Sequence, residues 1–102
     1  MEVDVINVLI RLEVKDFEAL EKFEKQAVAI MIRYRGRLVS AFETARSEDG
    51  TGEEVHVLEF PNKEAFALYR DDDSLANLAG LRNQAILSTE VQISLHPKYY
   101  VN

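Results

Sequence analysis

The chain has 102 residues, 47% apolar and 29% charged, with four Gly, two Pro and no Cys. That length suits one domain with a real core, and the missing Cys excludes disulfides, zinc ribbons, iron–sulfur sites and thiol nucleophiles. Twelve Lys and Arg against eighteen Asp and Glu leave a net charge of −6, which repels a phosphate backbone and argues against a nucleic-acid partner.

The longest apolar run, Ala27 to Ile32, falls far below the ~20 residues of a membrane span. The start, Met1-Glu2-Val3-Asp4, is acidic where a secretory leader is basic. The expectation is a soluble, cytoplasmic, single-domain protein that meets no membrane.

Val3 to Val14 reads as a strand, because Ile6, Val8, Ile10, Leu12 and Val14 alternate with more polar neighbours. Asp16 is placed to cap a helix, whose core face carries Phe17, Leu20, Phe23, Ala27, Ile30 and Tyr34. Glu18 with Lys22, and Glu21 with Lys25, are favourable i,i+4 pairs on its exposed side. Val28 and Ile32 form a second apolar stripe that either a further helix-to-helix contact or simple partial exposure would explain. Gly36 is expected to end the helix, with Arg33, Arg35 and Arg37 gathered at the negative end of its dipole.

Arg37 to Arg46 and Glu54 to Phe60 alternate again. The Ser47 to Gly52 turn makes them a hairpin, since Asp49-Gly50 tolerates positive φ. Pro61 stops the third strand and Asn62 caps a second helix bearing Ala65, Phe66 and Tyr69. Asp71-Asp72-Asp73 breaks that helix, and Ser74 starts a short piece with Leu75, Leu78 and Leu81. Thr89, Val91, Ile93 and Leu95 mark a fourth strand, ended by Pro97. The order β-α-β-β-α-β is the ferredoxin-like α+β arrangement, a four-stranded antiparallel sheet with its helices on one face.

Two helices cover one side of such a sheet, yet Val5, Leu9 and both phases of the second strand place apolar residues on the other. Soluble proteins hide a patch of that kind, and a homodimer with facing sheets is the economical solution. Asn7 and Arg11 interrupt the patch, which suggests a cavity with a few placed polar groups. The aromatic tail, Tyr99-Tyr100, is expected to pack on a partner or across the barrel end.

The strings Val55-x-Val57-Leu58-Glu59-Phe60-Pro61, Ala65-x-x-x-Tyr69 and Leu78-x-x-Leu81-Arg82, followed by the closing strand, resemble the bacterial domain-of-unknown-function family 1330. That family belongs to the dimeric α+β-barrel superfamily, beside antibiotic-biosynthesis-monooxygenase-like proteins. The chain departs from its pattern at Arg35-Gly36, where a Gly pair is usual, and at Leu75, where an aromatic is common. The resemblance implies a homodimer and no established reaction. By fold-level analogy it points to cofactor-free monooxygenase- or isomerase-like chemistry on a phenolic or enolisable small molecule.

Six residues are candidates for such a site. His56 and Glu59 are candidate bases; on alternation they occupy opposite faces of the third strand. Glu59 on a buried face would need a partner such as Arg11 or Arg82. Asn7 could orient a substrate oxygen, Arg82 could bind a carboxylate or phosphate, and Tyr69 lies at core spacing. Each also has a structural reading: a hydrogen-bonded His56, a Glu59 ion pair, an Arg82 helix cap, a packed Tyr69. With two His and no metal-ligand spacing, no metal is expected, and no nucleotide motif or other cofactor signature occurs. The expected function is binding of an apolar or amphipathic small molecule, with a non-catalytic dimerisation or ligand-sensing module whose barrel is filled by side chains as the alternative.

Overall fold

The computed structural model describes residues 5–100. Strand β1 (Ile6–Val14) leads into α1 (Phe17–Met31) and a single 3-10 turn (Ile32–Tyr34). Strands β2 (Arg37–Arg46) and β3 (Gly52–Phe60) form the hairpin, followed by α2 (Lys63–Arg70), α3 (Asp73–Ala76), α4 (Ala79–Ala85) and β4 (Ile86–Ile93). The strands make one antiparallel sheet in the order β2-β3-β1-β4, which is the ferredoxin-like arrangement that alternation indicates. Val3 lies outside the described residues.

The caps act where the sequence places them. Asp16 accepts from the Ala19 N–H at 3.0 Å, and Asn62 from the Ala65 N–H at 2.8 Å; each such cap contributes about 1 kcal/mol. The end of α1 differs from expectation in a physically instructive way. Arg35, not Gly36, takes the left-handed conformation, with φ 61°. Gly36 is needed for space instead: a Cβ there would lie 2.3 Å from the Phe60 ring and 2.6 Å from the Met31 side chain.

Two other boundaries move. The acidic run ends α2 but also begins α3, because Asp72 accepts from the N–H groups of Ser74 (2.7 Å) and Leu75 (3.3 Å). Strand β4 begins at Ile86 rather than Thr89. Its start is tied down by the Ala85 carbonyl, which accepts from the Lys15 N–H at 2.8 Å. Its pairing closes at Ser94, whose N–H donates to the Asn7 carbonyl at 2.9 Å and whose hydroxyl accepts from the Asn7 N–H at 3.0 Å. Leu95 therefore falls outside the strand and is exposed.

The core lies between the sheet and the helices in two clusters. One joins Ile6, Val8, Ile30, Met31, Leu58, Phe60, Phe66 and Tyr69; the other joins Leu12, Val14, Ala19, Leu20, Phe23, Ala27, Ala85 and Ile86. Ile10, Leu75 and Leu78 touch both. Helix α1 packs beside α4, whereas α2 packs on the 3-10 turn and β3. No helix among the described residues is long and apolar enough to cross a membrane.

Candidate functional site

Where the two clusters meet, the helices and sheet enclose a pocket of about 330 Å³, small but within the range of ligand sites. Its wall is largely apolar, with Ile10 and Leu12 from β1, Leu58 from β3, Phe23 and Met31 from α1, and Phe66 from α2. Leu75, Ala76 and Ala79 of the short helices roof it. That roof is held to the end of α1: the Tyr34 hydroxyl donates to Asp72 and holds its carboxyl below the usual carboxylate range. Arg33 adds a hydrogen bond to the Ser74 hydroxyl at 3.2 Å.

The polar groups of the wall are few and convergent: His56, Glu24, Tyr69, Arg70, Arg82 and Thr89. His56 is 3% exposed, and period-2 alternation along β3 explains why it points inward with Leu58 and Phe60. The Glu54 carboxylate lies 2.8 Å from its Nε2, and Glu24 lies 3.8 Å from its Nδ1. An ionised carboxylate accepts only, so the Glu54 contact places a proton on Nε2. Nδ1 then faces Glu24 across a gap longer than a direct hydrogen bond. Burial pushes the Glu24 carboxyl above its ordinary value, opposed by the nearby His56 and aided by Glu54. Burial also raises the Tyr69 phenol, with the Glu24 charge second, so that Tyr69 remains a donor at any ordinary pH. The Arg82 guanidinium donates to the Thr89 hydroxyl at 2.7 Å.

Of the six residues singled out from sequence, His56, Tyr69 and Arg82 are brought together in this pocket. Asn7, Arg11 and Glu59 are not; they project from the opposite, uncovered face of the sheet. Glu59 is paired with Arg37 at 3.0 Å, neither with Arg11 nor with Arg82, because β2 and not β1 sets Arg37 opposite it in register. Arg11 lies between Glu53 at 3.3 Å and Glu90, and Asn7 faces Glu59 across the β1–β3 pair. Arg11 also borders a shallow hollow with Leu9, Val55, Glu90 and Gln92.

Glu24 and Glu54 were not among the sequence candidates, although both leave a signal. Glu24 stands three residues before Ala27 and four after Leu20, an acid at core-edge spacing on an apolar helix face. Glu54 precedes His56 by two and so shares its side of the strand. Val28, from the second apolar stripe of α1, borders a further groove that also reaches Glu24 and His56 from the β2 side. Ile32, Tyr99 and Tyr100 are exposed.

The fold and pocket define an α+β protein of the ferredoxin-like class. Residues 7–93 match the family described as Domain of unknown function (DUF1330), and the chain belongs to it. In structure it is similar to SnoaB, a cofactor-independent oxygenase from Streptomyces nogalater. The identity is 15% and the TM-score 0.73, with 97% of this chain and 99% of that one covered. A protein of unknown function from Rhodopseudomonas palustris gives 14% identity and a TM-score of 0.75, over 96% and 86% of the two chains. A NIPSNAP-like domain protein from Burkholderia xenovorans gives 16% and 0.69, over 99% and 91%. At these identities the likeness is one of fold. No curated protein matches the chain in sequence.

Proposed function

We propose that this protein binds a small, largely apolar molecule in the pocket between sheet and helices. There it takes a proton from a phenolic or enolisable substrate without a cofactor, the first step of an isomerisation or, where dissolved O2 serves as the oxidant, of a monooxygenation. The observation that carries this reading is His56, buried in the wall of an apolar cavity with a carboxylate beside each ring nitrogen.

The geometry suits a general base. Glu54 fixes the tautomer and stabilises the imidazolium that forms when Nδ1 takes a proton, the role a buried acid plays behind a catalytic histidine. Arg82 supplies a fixed positive charge that orients the substrate, and Tyr69 a neutral donor for the developing oxyanion. The largely apolar wall lowers the local dielectric and so strengthens both contacts. Likeness in fold to a cofactor-independent oxygenase supports the same class of chemistry.

We further propose that the working unit is a homodimer with the uncovered sheet faces together. Leu9 is 40% and Phe42 58% exposed on that face, next to Val55 and Val57. The charged residues around them, Arg11 with Glu53 and Glu90, and Arg37 with Glu59, are already paired within the chain. A two-fold related copy would bury the apolar row with both of its arginines already paired.

Proton transfer is tested by deuterium exchange at the acidic C–H of a panel of enolisable aryl ketones and aryl 1,3-diketones, in buffer free of metal and flavin. The native protein should accelerate exchange of at least one compound, and His56→Gln should remove a factor of about 10²–10⁴. Rates equal to buffer across the panel, or a His56→Gln variant as fast as the native chain, would overturn the catalytic reading.

A further inference from the structure

Resting on that reading of the pocket, we infer that its ligand is a compact monoanion, an aryl carboxylate, whose charge is held by Arg82 while its ring lies against Phe23, Phe66 and Tyr69. The inference starts from how this chain treats its arginines. Arg11, Arg33, Arg37 and Arg46 each meet a carboxylate within 4.0 Å. Arg82 and Arg70 line the pocket with no carboxylate within 4.0 Å among the described residues, and the hydrogen-bond partner of Arg82 is the neutral Thr89 hydroxyl. In a protein of net charge −6, acidic partners are abundant; the half-buried Arg82 guanidinium is near enough to Glu24 to favour its charged form, yet makes no direct ion pair with it.

One of its five N–H donors is used by Thr89. That bond fixes the planar group against β4 and leaves donors for the two oxygens of a carboxylate, the geometry in which Arg binds most strongly. Arg70 stands at the rim with its guanidinium 5.4 Å from the centre of the Phe66 ring, a second cation where an anion would enter. Glu24 is the acid of the same wall; its carboxyl is turned to His56, and burial favours its neutral form. The volume of about 330 Å³ equals the space of about eleven waters at ~30 Å³ each, enough for one ring and a short acidic arm. Phe66 and Tyr69, with ring centres 6.4 Å apart, offer aromatic surface to that ring.

Isothermal titration with 3-phenylpropionate and its neutral isostere 3-phenylpropanamide decides the matter. The native protein should bind the acid at least about tenfold more tightly than the amide, the scale of a charge-assisted contact. Arg82→Gln should remove that preference and leave amide binding within about twofold, Arg82→Lys should retain part of it, and Arg70→Gln should cost less than Arg82→Gln. Thermal melts of each variant establish that it is folded. Equal binding of acid and amide, an Arg82→Gln loss shared by both, or no heat from either would overturn the inference. If the amide binds as well as the acid, or a neutral molecule is found in the pocket, the anion assignment alone falls. If no small molecule binds and His56→Gln is without effect on exchange, the pocket reading falls with it.

Discussion

The two faces of the sheet handle charge in opposite ways. On the uncovered face, Arg11 lies between Glu53 and Glu90, and Arg37 meets Glu59; each cation is neutralised by its neighbour in the ladder. On the helix-covered face, His56 and Glu24 line the pocket with Glu54 against the other ring nitrogen of His56, and Arg82 makes no ion pair among the described residues. Pairing between neighbouring strands is what structural charge looks like. Charges held in a largely apolar pocket cost desolvation energy, and their retention there supports the proposed ligand site. The difference explains why Glu59, the more conspicuous acid in the sequence, is the weaker candidate.

The largest contrast between the faces is one of packing. Phe60 is fully buried and within 5.2 Å and 5.5 Å of the Phe66 and Tyr69 ring centres, so Phe60→Ala should cost about 3–5 kcal/mol in denaturant unfolding. Phe42→Ala on the open face should change the stability of the single chain by no more than about 0.5 kcal/mol, yet shift the dimer toward monomer in sedimentation at low concentration. A Phe42→Ala protein with an undiminished dimer would break the proposal that this face meets a second copy.

A smaller effect separates the buried acid from its exposed counterparts. The native protein holds the Glu24 proton to higher pH than the unfolded chain does, because burial raises its carboxyl above the ordinary 4.5. Stability is therefore lost as pH rises from that ordinary value through the raised one. Glu24→Gln removes this loss. Its melting temperature relative to the native chain should climb between acid and neutral pH and level off above, whereas a constant difference would contradict the burial of that charge.

The smallest effect belongs to Glu59→Gln. With Arg37 mostly exposed, the pair is worth less than about 1 kcal/mol. Ligand binding and exchange rates should be unchanged, since Glu59 lies on the other side of the sheet from the pocket. A loss of turnover with normal stability would instead move the site to the open face.

Period-2 and 3.6 spacing made the fold legible, because burial repeats along each element and Asp16 and Asn62 mark their own helices. The site was legible only in part. Alternation put His56 on one face with Leu58 and Phe60 and separated it from Glu59, but left open which side the helices cover. Arg82 and Tyr69 come from different helices, and only packing brings them to His56. Glu24 was hidden within a helical face whose other members are core. The role of Gly36 was missed for a related reason: the close approach of Phe60 is a tertiary contact that helix-end rules do not contain.

The most direct test is native mass spectrometry of the protein purified from its own host, read before and after denaturation. A homodimer carrying a reproducible small molecule, released on unfolding and lost in a folded Arg82→Gln variant, is the predicted result. A monomer would contradict the facing-sheet unit. A bare dimer that also fails to take up 3-phenylpropionate would contradict the ligand pocket itself.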